Sequence, residues 1–450
     1  MRARGARVIG AAFLSLGLSA APVLAADPTA PAPRTPIEHA VVLMQEAHSF
    51  DNLFGSYPGV TRPSQSSCVL SVPGDASSAC VSPSWVGDRT VPAFGQSAAI
   101  FTTQYDEGKL DGFIGAQGAA GADASLVMGY YDDRDIPFSW NVADSYVLFD
   151  HFFSSAHGGS VSNHMYWISG SPGPASDSIP VDGIPDVPTI FDRLQEAGLT
   201  WKFYVQSYDP SITYRNRQGM VDRGSQVERV PVLAMARFLD DPALSGHVVD
   251  LSQYYLDLQA GTLPAVSYIV PAGGGAHSPS ALKAEQQLGG SLINALTRSS
   301  AWSSSMFLWT YSGSGGWYDH LAPPQVDESG LGFRVPALLV SPFARRGYVD
   351  DTQLDYASIV RFITDNWNLR SLAARDAAAE TFTSAFDFDN PGRAPILLST
   401  TREVATKAEP RRVIIFFAYG LALVGAILLI GRAALRSRRP RDQDHATKVL

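Results

Sequence analysis

Five consecutive apolar residues, Ala40-Val41-Val42-Leu43-Met44, run directly into the polar cluster Gln45-Glu46-Ala47-His48-Ser49. A strand that alternates apolar and polar residues can leave one face in water, whereas an unbroken apolar strand must be covered on both faces. Similar runs return at 146–153, 201–205, 263–271, 306–311 and 335–341. Between them, apolar residues recur at helical spacing over 188–199, 280–300 and 356–367. Leu282, Leu288, Leu292, Ile293 and Leu296 line one side of the middle segment. Strands alternating with amphipathic helices predict an α/β fold with a largely parallel central sheet and helices on both faces. Ligands and catalytic groups in such sheets collect where the strands end.

The chain has 450 residues, 45% of them hydrophobic, enough for one large core. Residues 1–26 read as a secretory signal. Arg2, Arg4 and Arg7 precede an apolar stretch, and Val23-Leu24-Ala25 offers a small-residue cleavage site. The main domain is expected over 36–398, with a juxtamembrane linker at 399–412. Residues 413–431 carry no charge and have the length of a membrane-spanning helix, and a basic tail follows at 432–450. The arginines of that tail place it in the cytoplasm, so the expectation is a single-pass type I protein of the cell membrane. Between residues 27 and 410 there are 23 basic and 41 acidic side chains, a balance near −18. A domain so acidic repels polyanions, which excludes nucleic acid as a partner. Cys68 and Cys80 are the only cysteines, and in an exported chain such a pair predicts one disulfide.

The motif segments resemble those of a bacterial phosphoesterase family that includes phosphatidylcholine phospholipases C and secreted acid phosphatases. That family opens with a strand and E-N-R-S-F-D-x-x-F-G; here the same place reads Glu46-Ala47-His48-Ser49-Phe50-Asp51-Asn52-Leu53-Phe54-Gly55. Its segment Y-x-x-G-x-M-D-G-F has a counterpart at 105–113. Its D-x-F-F-x-S and G-P-[TS]-x-P-N-[RH] elements match Asp150 to Ser155 and Gly158 to His164. The resemblance covers roughly 36–395. It implies an alkaline-phosphatase-like α/β/α sandwich and hydrolysis of a phosphate ester. Ser160 would be the nucleophile, Asn163 and His164 would stand beside it, and His277 would contact the phosphate or act as acid and base.

The departures from the pattern fall on the metal site. The resemblance places its ligands at Glu46, Ala47, Ser160, Ser312 and Gly313, where the family has an amide and an Asp-Glu pair that this chain lacks. Glu46 and Ser160 remain, a weakened site for a divalent ion, zinc or calcium. Six of the nine histidines lie in motif segments, at 48, 151, 157, 164, 277 and 320. A histidine-rich shell would favour zinc. Asp319, His320 and Asp351 are the candidate substitute ligands. Two functions follow: a phosphoesterase acting on a small phosphate ester or a lipid headgroup, or a degenerate relative that keeps the fold as a surface binding protein.

Overall fold

The computed structural model describes residues 30–62, 68–118, 123–173, 178–217, 225–272, 279–402 and 412–437. Residues 1–26, read as a signal, and His277 lie outside them.

Eight strands form the central sheet: β1 His39–Gln45, β2 Val147–Phe149, β3 Trp201–Val205, β4 Val248–Asp250, β5 Val266–Val270, β6 Ser305–Tyr311, β7 Ala337–Val340 and β8 Tyr348–Asp350. Their order across the sheet is β8-β2-β7-β6-β1-β5-β3-β4. All pairings are parallel except those of β7, which runs against β2 and β6. The largely parallel sheet expected from the apolar runs is therefore present. β1 lies inside it, with Ala40 to Met44 at most 1% exposed. Burying each of its larger side chains contributes about 1.5–3 kcal/mol.

Register shows what covers each face. Leu43 pairs with Trp309 and Val42 with Tyr268, so the two aromatic rings leave β1's neighbours on opposite sides. Trp309 meets Gly289 of the Pro279–Arg298 helix, where an added Cβ would lie 2.6 Å from the indole. Tyr268 meets Trp167 of the Ser160–Ser169 helix at a centroid distance of 4.4 Å. Helices thus lie on both faces of the sheet. The one polar side chain ending β1, Gln45, is fully buried and satisfied: its Oε1 accepts from Trp309 Nε1 at 2.8 Å and its Nε2 donates to the Glu285 carbonyl at 3.0 Å.

Cys68 and Cys80 form the expected disulfide, beside a two-residue antiparallel pairing of Val69–Leu70 with Cys80–Val81. The compact unit containing the sheet ends at Arg402, and the described part of the second unit is a helix, Arg412–Ser437.

The membrane topology expected from residues 413–431 is corrected here. Among the described residues no helix is long and apolar enough to cross a membrane. The type I placement, and the cell membrane as a partner through this segment, do not stand.

Replacing both cysteines by serine should lower the unfolding free energy by roughly 3 kcal/mol, because the open loop returns chain entropy to the unfolded state. Urea denaturation of the two proteins tests this, and coincident midpoints would show that the bridge contributes nothing.

Candidate functional site

Three polypeptide segments converge beyond the carboxyl ends of the central strands: 46–52 after β1, 150–163 after β2 and 312–320 after β6. Backbone contacts bring the first and last together. Ser312 N–H donates to the Gln45 carbonyl at 2.8 Å, and Gly315, at φ +68°, sits so close to Ala47 that a Cβ there would lie 2.3 Å from its carbonyl oxygen.

A buried guanidinium fastens all three. Arg334 has no side-chain exposure and donates to Asp319 Oδ1 and Asp150 Oδ1 at 2.9 Å each, and to Asp51 Oδ1 at 3.0 Å. Its plane lies over Phe50, 4.6 Å from the ring centroid. His320 Nδ1 adds a 2.7 Å bond to Asp51 Oδ2. One guanidinium cannot neutralise three carboxylates. Burial, with Asp51 close by, accordingly pushes Asp319 up to about 6 in spite of Arg334. Asp51, Asp319 and His320 each bring a ligand atom within 4.8 Å of the others, a spacing that could hold a metal ion. Arg334 already bonds both carboxylates, however, and a divalent ion there would oppose a fixed positive charge.

Ser160 opens the Ser160–Ser169 helix behind Gly158 and Gly159, whose φ angles are +152° and +74°. A side chain at 158 would clash with the backbone of Gln96 at 2.6 Å, so the close turn requires glycine. The hydroxyl is half-buried at the positive end of the helix dipole. Asn163 clamps the turn with both ends of its amide: Nδ2 donates to the Gly159 carbonyl at 3.2 Å and Oδ1 accepts from Ala156 N–H at 2.9 Å.

His164 is fully buried. Its Nδ1 lies 2.7 Å from the Ser160 carbonyl and 3.1 Å from Ser160 Oγ. The shorter contact, to an oxygen that can only accept, puts the proton on Nδ1 and commits it to the backbone. Burial holds the imidazole below its usual range, so it stays neutral near pH 7. His164 thus positions Ser160, and its Nδ1 cannot take the hydroxyl proton in this conformation.

Glu46 is partly buried and bonds Arg229 Nε through Oε1 at 2.5 Å. Arg229 ends the short Ser225–Arg229 helix, and it also lines a cleft of about 530 Å³ at the carboxyl ends of β3 and β5, bounded by Val205, Ser207, Tyr208, Gln226 and Val270. Both Glu46 and Arg229 act electrostatically on His164, in opposite senses. The positions that the resemblance assigns to a metal therefore hold one carboxylate already engaged by an arginine, a methyl group, two serines and a glycine. Such a set does not fit a hard divalent cation, which needs several carboxylate or carbonyl oxygens. Asp319 and His320 lie against Arg334 and Asp51, and Asp351 is exposed.

His48 lies beneath this surface. Its Nδ1 donates to Asn52 Oδ1 at 2.6 Å and its Nε2 faces Glu285 Oε2 at 3.6 Å. Burial pushes the Glu285 carboxyl well above its ordinary range.

Arg229, Arg334 and Glu285 carry no motif signal. Arg334 stands alone in the apolar stretch Leu331-Gly332-Phe333-Arg334-Val335, and that isolation was the one available hint of a buried, paired cation.

Comparison with known proteins agrees with the motif segments. The Phosphoesterase family profile matches residues 37–370, and the chain belongs to that family. Phospholipase C A of Mycobacterium tuberculosis is 26% identical over 420 residues, covering 79% of this chain and 78% of its own. The non-hemolytic phospholipase C of Pseudomonas aeruginosa is also 26% identical, covering 80% of this chain and 58% of its own. Among solved structures, a Vibrio parahaemolyticus protein of the alkaline phosphatase superfamily superposes over 79% of this chain and 74% of its own. At 12% identity and a TM-score of 0.38, that likeness is too loose to carry residue correspondences.

Two outcomes test the arginine cluster. Arg334→Met, which strands three buried carboxylates, should destabilise the fold by about 3–5 kcal/mol in urea denaturation at pH 7. A loss under 1 kcal/mol would show that the carboxylates do not depend on it. The second outcome concerns pH. Because folding raises the Asp319 pKa from its ordinary 3.8 to about 6, the folded state takes up a proton between those values. That contribution is complete below about pH 4 and fades as pH rises through 6. The stability of the wild type relative to Asp319→Asn should therefore improve from pH 7 to pH 4, and a difference independent of pH would contradict the raised pKa.

Proposed function

We propose that this chain hydrolyses phosphate esters in the manner of the phospholipases C it is related to, with Ser160 as nucleophile. The observation that carries the reading is the setting of Ser160. A half-buried hydroxyl stands at the start of a ten-residue helix, on a turn that only glycine permits, at the mouth of the central strands. Family membership adds the reaction class. In the reaction Oγ bonds to phosphorus as the alcohol oxygen departs, and the proton lost by Ser160 equals the one gained by the alcohol. Water then cleaves the phosphoserine bond. Asn163 and His164 hold the nucleophile's turn and first helical residue in place, and the helix dipole favours the ionised oxygen. The substrate is a phosphate ester of small-molecule or lipid-headgroup type.

A second reading, a family member that binds such an ester without cleaving it, is favoured by one specific contact. The nitrogen facing Ser160 Oγ is committed to a carbonyl and cannot serve as base for that hydroxyl in this conformation.

Hydrolysis of p-nitrophenyl phosphate and of bis(p-nitrophenyl) phosphate by the full chain separates the two. Ser160→Ala should lower kcat by roughly 10³-fold or more. Equal turnover in the variant would remove Ser160 from the reaction, and no turnover of either ester by the wild type would favour the binding reading.

A further inference from the structure

The mismatch between the expected metal ligands and the residues present has a positive side. Phosphate ester chemistry needs a cation, or fixed donors, where charge accumulates on the non-bridging oxygens. A guanidinium serves that purpose well, because its planar fork matches two phosphate oxygens and it remains charged at any working pH.

We infer that the cation of this site belongs to the chain itself: Arg229, with Glu46 as its counter-charge, holds the phosphate group that a divalent ion would otherwise hold. Arg229 is 7% exposed, a depth at which a guanidinium is retained only with a partner. Its partner is the single carboxylate surviving from the metal-ligand pattern, at 2.5 Å. The bond to Ser225 Oγ is long, at 3.4 Å, and holds the group loosely on that side. The same guanidinium borders the cleft of about 530 Å³ that opens beside β3 and β5, a volume suited to a phosphate with a small alcohol substituent. Ser207, Tyr208 and Gln226 supply neutral polar groups around that opening. In a domain of strongly acidic composition, a buried arginine at the strand ends gives an anion a local place to bind. The inference rests on the proposed phosphoester site, but it concerns ligand binding and not turnover.

Isothermal titration of the full chain with inorganic phosphate, in EDTA and then with zinc or calcium added, tests it. Phosphate should bind in EDTA, and neither metal should change the affinity. Arg229→Gln should weaken binding about 10–100-fold, the value of one charged hydrogen-bonding partner, with Arg229→Lys falling between. Glu46→Gln should tighten binding about 3–10-fold, because the guanidinium loses a competing carboxylate. This variant keeps the test decisive if Arg229→Gln fails to fold, since a metal ligand removed at Glu46 would act in the opposite direction. Binding that appears only with zinc or calcium, or that is lost in Glu46→Gln, overturns the inference. So does an affinity unchanged by Arg229→Gln in a folded protein. Phosphate binding that depends on Arg229 with no hydrolysis of any ester would keep the inference and remove the hydrolase reading. Hydrolysis that depends on Ser160 and is indifferent to Arg229 would do the reverse.

Discussion

The bonds from Arg334 to Asp51, Asp150 and Asp319 join the loops after three different strands, and the geometry of the site depends on them. Each loop leaves the sheet at the same end, and each carries polar backbone that would otherwise have to be satisfied by water. A guanidinium with no exposure fixes where all three return. From Asp51 the chain runs back to Glu46, from Asp150 forward to Ser160, and from Asp319 back to Ser312. An error of an ångström at Arg334 would be passed to the loops that carry Glu46 and Ser160. Rigid support of this kind is what positioning chemistry requires.

The cluster also shows how the acids of the motif segments are tied into the fold, at a place whose spacing could hold a metal ion. Asp319 and His320 are the right residue types, and their ligand atoms come close enough together. Their charge is already answered by Arg334, and the excess is relieved by the raised pKa of Asp319. A carboxylate cluster built around a guanidinium solves a folding problem. One built around an open oxygen cage would serve catalysis. The contacts, and not the composition, distinguish the two.

Much of this architecture is legible in the residues themselves. Ala40 to Met44 can only be a strand covered on both faces, and it is. The helix expected over 280–300 appears as Pro279–Arg298, with Leu282, Leu292, Ile293 and Leu296 buried. Val248–Asp250 and Tyr348–Asp350 escape notice because three-residue edge strands are too short to show a period. The strand expected over 335–341 shrinks to Ala337–Val340 and runs antiparallel, a direction that hydrophobicity does not encode. At the site, Ser160 and Glu46 are visible through their motif settings, but their partners are not. Arg334 lies 283 residues from Asp51, and Arg229 lies 183 residues from Glu46. Pairings at such separation arise from the closed fold and leave no local pattern. The same holds for His164, which the motif places beside Ser160 while its 2.7 Å contact to a carbonyl arises in the fold.

On the inference that Arg229 replaces a metal, its pairing with Glu46 would let the scaffold change its cation while keeping its frame. In a metal site, a lone carboxylate stripped of its companion ligands would be a buried charge without compensation, which costs several kcal/mol. Two ways out exist: lose the carboxylate, or bring a cation to it. Here a five-residue helix brings one, Arg229, whose Nε bonds Glu46. The exchange alters the electrostatics in a definite way. A divalent ion brings two charges and open coordination positions that can ionise a serine directly. A guanidinium brings one charge and fixed donors, which can hold an anion but leave the serine hydroxyl protonated. If Ser160 is the nucleophile, the helix dipole would contribute to ionising it. A site arranged in this way would hold phosphate firmly, and the commitment of His164 to the backbone would keep that imidazole out of the proton transfer.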